Sequence, residues 1–156
     1  MRVMALDHGA ARTGVAVSDA TGTLATPLTT IRRVEGDAGF AELLALVAGR
    51  RPDEIVVGLP VSLDGRERGQ AARARAFARR LAAATPVPVT TYDERFTTRL
   101  AARRGGRAPE DARGAAVILE DYLRARVSGD EAAAPDDEAL ARDDEAAARG
   151  EEADRV

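Results

Sequence analysis

Apolar positions fall along this chain in two alternating kinds of pattern. The first third is made of short runs: Val3 to Leu6, Val15-Ala16-Val17, and the β-branched, threonine-rich stretch Leu24 to Ile31. Each has the length and composition of a strand. Gly9 and Gly14 bracket a turn between the first two, and Asp19 to Thr23, containing Gly22, forms the next. Pro27 lies inside the third run, and a proline cannot donate to a ladder, so an edge position is expected there. The spacing then changes. Phe40, Leu43, Leu44 and Val47 share one face of a helix, with Asp37 as its cap and Gly49 and Pro52 ending it. Glu54 to Leu59 contains Ile55-Val56-Val57, the continuous apolar run of a strand covered on both sides. Glu67 to Ala84 reads as a long helix that turns alanines, Phe77 and Leu81 inward and arginines outward. Val87 to Tyr92 is a further strand, Thr97 to Arg103 a short helix, Arg104-Gly105-Gly106-Arg107 a basic loop, and Glu110 to Arg126 a last helix.

This order, three strands and then alternating helices and strands, predicts an α/β domain. Three strands in a meander followed by α/β crossovers give a five-stranded mixed sheet with helices on both faces. The length of 156 residues has room for one such domain. Charge divides the chain unevenly. Residues 128–156 carry 11 acids and 3 arginines, a net −8, which leaves residues 1–127 with 15 acids and 20 arginines, a net +5. The last stretch has only Leu140 and Val156 as large aliphatics, too little to offset an ordering cost of about 1–2 kcal/mol per residue. The expected organisation is a folded domain over 1–127 and an acidic, disordered tail over 128–156. There is no cysteine, which excludes thiol catalysis and thiolate metal sites and fits a reducing compartment. The start meets a charge at Arg2 and Asp7, and no run approaches the roughly 18 apolar residues of a membrane span. A cytoplasmic protein without membrane contact is expected.

Three acids fall at the ends of elements: Asp7 after the first strand, Glu94 after the fifth, and Asp111 in the first turn of the last helix. From Asp111, positions i+4, i+7 and i+11 are Ala115, Ile118 and Tyr122, so the acid shares the apolar face that must lie on the sheet. A carboxylate at a helix N-terminus is also favoured by the helix dipole. Three carboxylates meeting at one sheet edge repel each other unless a cation joins them. Hard oxygen ligands without cysteine favour Mg²⁺ or Mn²⁺ over zinc, and a pair of such ions suits phosphodiester hydrolysis. The basic body suits a phosphate backbone. Taken singly, each acid could equally be a turn or cap residue. Arg12 and Arg95 either contact phosphate or pair with Asp7 and Glu94. His8 is a candidate ligand or base, but beside a glycine turn it is expected to be exposed.

Four segments together resemble the YqgF (RuvX) family. Asp7-His8-Gly9-Ala10-Ala11-Arg12-Thr13-Gly14-Val15-Ala16-Val17-Ser18-Asp19 is similar to its opening D-x-G-x-x-R-x-G-x-A-x-S-D motif. Val56-Val57-Gly58-Leu59-Pro60 with Asp64-Gly65 resembles its VVGLP…DG segment, and Asp93-Glu94-Arg95-Phe96-Thr97-Thr98 its DERLTT signature. Asp111 through Ala115 to Ile118-Leu119 and Tyr122-Leu123 resembles its closing helix. The motifs run in family order across residues 2–126. The resemblance implies a ribonuclease H-like fold and a metal-dependent nuclease, acting in 5′-end maturation of pre-16S rRNA or on four-way DNA junctions. It implies Asp7, Glu94 and Asp111 as catalytic and metal-binding acids, holding Mg²⁺ or Mn²⁺, with Asp93 as a helper. Gly9 and Gly14 would admit metal and phosphate to the backbone, and Arg12, Arg95, Arg104 and Arg107 would hold the substrate strand.

Two rival functions remain. A junction resolvase must make two symmetric cuts and so needs a stable dimer, whereas no long apolar face is left uncovered, and a monomer or weak homodimer is expected. A non-catalytic RNA-binding assembly factor would keep the acids for structure alone. An actin-like ATPase needs a second lobe, for which the chain has no room.

Overall fold

The computed structural model describes residues 1–59, 67–93 and 110–128. Their elements are β1 (Val3–His8), β2 (Arg12–Ser18), β3 (Ala25–Arg32), α1 (Asp37–Arg50), β4 (Glu54–Leu59), α2 (Glu67–Ala84), β5 (Val89–Asp93) and α3 (Glu110–Ser128). The expected short helix over 97–103 and residues 129–156 of the expected tail lie outside the described residues, while Ser128 ends α3. Among those described, no helix is long and apolar enough to cross a membrane.

The five strands form one sheet in the order β3-β2-β1-β4-β5. β1, β2 and β3 pair antiparallel, whereas β4 and β5 run parallel to β1. This is the expected meander with crossovers, and β3, which carries Pro27, is an edge strand. Strand alternation sends successive side chains to opposite faces. Met4, Leu6, Ile55 and Val57 join Leu43, Val47, Phe77 and Leu81 in the core beneath α1 and α2. Val3, Ala5, Ala16, Val56 and Tyr92 join Ala115, Ile118, Leu119 and Tyr122 beneath α3. Helices therefore cover both faces, and the face of α3 read from Asp111 is the one that packs.

Two local expectations are corrected. Asp37 does not cap α1; the cap position is Gly36, with no side-chain hydrogen bond, and Asp37 is the first helical residue. There its charge still meets the positive end of the helix dipole. β1 also runs past Leu6 to His8, because the ladder with β2 continues through Asp7↔Gly14 and His8↔Thr13. Polar contacts fasten α3 at its far end. Tyr122 donates to Glu54, Arg126 Nη1 lies 2.7 Å from Glu54 Oε2, and the Tyr92 hydroxyl donates to Asp121 at 2.7 Å. Burial and the Glu54 bond push the Tyr122 hydroxyl up to about 12.

Candidate active site

Asp7 lies near the end of the central strand, on the same face as Val3 and Ala5, and so points towards α3. Opposite it in β2 stands Gly14. A methyl group on Gly14 would overlap the Asp111 carbonyl oxygen, so this glycine is the place where the first turn of α3 touches the sheet. The expectation that Gly14 leaves room for metal and phosphate is corrected: that space is taken by the backbone of α3 at Asp111 and Ala112. A methyl group on Gly114 would come 2.5 Å from Asp7 Oδ2. The carboxylate of Asp7 therefore occupies the space that a side chain at 114 would fill. Asp111 and Gly114, three residues apart, share a helix face, and two missing side chains let Asp7 and Asp111 converge.

The electrostatics record this closeness. The Asp7 carboxyl is pushed up from its ordinary value to about 6, first by burial and then by the negative charge of Asp111. Neither carboxylate has an ion pair or a side-chain hydrogen bond among the described residues. Burying charge without a partner is costly, so the pair is suited to a cation with oxygen ligands. Among the described residues Asp7 and Asp111 stand as a pair, and no group of three or more metal-ligating side chains occurs. Glu94 follows directly on Asp93, the last residue of β5, and lies outside them, as do Arg95, Arg104 and Arg107. Asp93 is paired in register with Leu59, and β5 is separated from β1 by β4.

Arg12 begins β2, is exposed, and makes no ion pair with Asp7. Gly9 stands in the turn just before it, packed so that a methyl group would come 2.5 Å from the Arg12 carbonyl oxygen. His8 departs from expectation. Its side chain is 3% exposed, stacked on Phe77 with ring centroids 4.7 Å apart, and its Nε2 is 3.3 Å from Glu35 Oε1. Once β1 is seen to include His8, alternation explains this: the residue after Asp7 must face α1 and α2. Burial lowers the His8 pKa, against the opposing pull of Glu35. His8 thus belongs to the packing behind the acids. Asp19 closes the β2–β3 turn at the other end of the sheet, accepting from the Thr21 hydroxyl and from the backbone of Leu24 at 3.0 Å and Thr23 at 2.8 Å, which holds its carboxyl well below the usual range.

A mixed sheet with an antiparallel β1-β2-β3 edge, parallel β4 and β5, and acids from β1 and a later helix defines the ribonuclease H-like class. A solved structure of this kind, T. thermophilus RuvC in complex with a Holliday junction substrate, superposes with a TM-score of 0.52 at 20% identity, over 81% of this chain and 96% of that one. The sequence profile of the RuvX family, described as Holliday junction resolvase, matches residues 1–125, and the chain belongs to that family. A relative from Nocardioides sp. is 48% identical over 131 residues, which are 76% of this chain and 84% of that protein. One from Rhodobacter capsulatus is 43% identical over 120 residues, 77% of this chain and 75% of that protein. Both are named "Putative pre-16S rRNA nuclease".

Proposed function

We propose that this chain is a divalent-metal-dependent nuclease that hydrolyses phosphodiester bonds in structured RNA, in the 5′-end maturation of pre-16S rRNA in the cytoplasm. The observation that carries the reading is the convergence of Asp7 and Asp111, two carboxylates without a cationic partner among the described residues, on the basic body of the chain. Asp7 and Asp111 hold Mg²⁺ or Mn²⁺, and Glu94 completes the ligand set. The bound ions supply Lewis acidity towards the phosphoryl oxygens. The protein's own part is to keep the acids at a fixed separation and to present them at the end of a rigid sheet. Arg12, Arg95, Arg104 and Arg107 position the strand, and the Gly9 turn keeps the approach to Asp7 free of side chains.

Asn in place of Asp7 keeps the size of the side chain and removes its charge. Asp7→Asn is expected to lower Mn²⁺-dependent cleavage of a precursor rRNA fragment by at least ~100-fold, the scale of several kcal/mol of lost transition-state stabilisation. Equal cleavage by the purified variant would refute the assignment.

The family description and the RuvC-like fold favour a second reading, a resolvase of branched DNA. The same assay with a four-way DNA junction beside precursor rRNA separates the two, together with sedimentation, since paired symmetric cuts need a dimer. RNA binding without any cleavage or Mn²⁺ uptake would leave a non-catalytic assembly factor.

A further inference from the structure

The row of the sheet next to the acids carries two arginines placed directly against each other. Arg12 pairs with Arg32 across β2 and β3, two residues beyond the row Asp7–Gly14–Thr30. Strand alternation puts residues 12 and 14 on one face, and Gly14 faces α3, so Arg12 and Arg32 stand on the Asp7 face. With strand spacings of about 5 Å and a rise of about 3.4 Å per residue, the pair lies ~7 Å further along the strands from Asp7 and one and two strands to its side. Both side chains are exposed. Neither has an ion pair or hydrogen bond among the described residues.

Like charges directly opposite in a sheet destabilise it, so the pair has a cost that no acid among the described residues offsets. The backbone beneath is nevertheless held firmly. Arg33 N donates to the Ala11 carbonyl at 3.0 Å, which closes the two strands beyond the pair. Arg33 itself takes a left-handed conformation, φ 47°, to turn the chain out of β3. Such a conformation costs a non-glycine residue of order 1 kcal/mol.

We infer that Arg12 and Arg32 form a two-guanidinium clamp for a backbone phosphate of the bound nucleic-acid strand, beside the phosphate cut at Asp7 and Asp111. The inference rests on the nuclease reading and adds Arg32, and the direction in which the strand leaves the acids, across β2 towards the β3 edge. A guanidinium fork matches phosphate oxygens bidentately, and two forks converging on one anion remove the like-charge repulsion. An edge-strand arginine also discourages sheet-to-sheet pairing; that role alone would leave nucleic-acid binding unchanged.

The test is the salt dependence of binding to a precursor rRNA fragment without divalent ions, between 50 and 200 mM salt, with cleavage kinetics in Mn²⁺ alongside. Arg32→Ala is expected to lower the slope of log K against log salt by about 0.7–0.9, the loss of one phosphate contact. KM should rise severalfold with kcat within about twofold, and Arg32→Lys should keep the slope. Arg50→Ala is the control, since the Arg50 carbonyl accepts from Arg2 at 3.0 Å, at the opposite end of the sheet. An unchanged slope in Arg32→Ala, with wild-type binding intact, overturns the clamp and leaves the nuclease reading standing. Wild-type protein that binds no RNA overturns both.

Discussion

At the scale of single residues, Asp7 is where folding and the proposed metal binding pull in opposite directions. Its folded pKa of about 6 lies above the unfolded value of 3.8, so between those values the folded state holds more of the proton than the unfolded state. By linkage, stability is full below about pH 4 and declines as pH rises through about 6. At roughly 1.4 kcal/mol per unit, the loss at pH 7 is of order 3 kcal/mol. Asp7→Asn removes the charge, and urea unfolding without divalent ions should show the variant more stable at pH 7, by up to ~3 kcal/mol, with a flatter profile between pH 4 and 6. A variant no more stable than wild type at pH 7 would mean that the charge of Asp7 is not under strain. The places of Asp7 near a strand end and of Asp111 in the first turn of a helix were legible because both are sequence features. His8 was not, since its burial depends on β1 running two residues past its apolar stretch, which only pairing with β2 determines.

At the scale of elements, α3 carries the site, and its seating on the sheet decides where Asp111 stands. The critical contact is the first turn of α3 against Gly14. Glycine to alanine in a strand ordinarily gains about 0.5–1 kcal/mol. Here the new methyl group would overlap the Asp111 carbonyl oxygen, and backbone cannot yield as a side-chain tip can. Gly14→Ala is therefore expected to cost ~3 kcal/mol, the upper range of overpacking, and to displace Asp111 from Asp7. Denaturant unfolding together with Mn²⁺-dependent cleavage reads both effects; a variant as stable and active as wild type contradicts this seating. Hydrophobic spacing foretold most of this level, from the edge position of Pro27 to the packed face Ala115, Ile118 and Tyr122. It could not reveal why Gly114 interrupts a good helix, because the reason is the Asp7 side chain on another element. The capping of α1 escaped for a related cause: Gly36 and Asp37 are adjacent, and composition alone favours the aspartate.

At the scale of the whole molecule, the topology joins parts of the chain that are far apart in sequence. β1 is central, so its end is reachable both from β5, which stops just before Glu94, and from α3, which starts just before Asp111. Residues 1–127 carry a net +5, and this field draws a polyanion towards a site whose own centre is negative. A cation must therefore stand between the acids and the phosphate. Calorimetric titration of Mn²⁺ into the full chain at pH 7, with Asp7→Asn beside it, tests this most directly. Uptake by the wild-type chain that is lost in Asp7→Asn is the predicted result. Equal uptake by both, or none by the wild-type chain, would contradict the account.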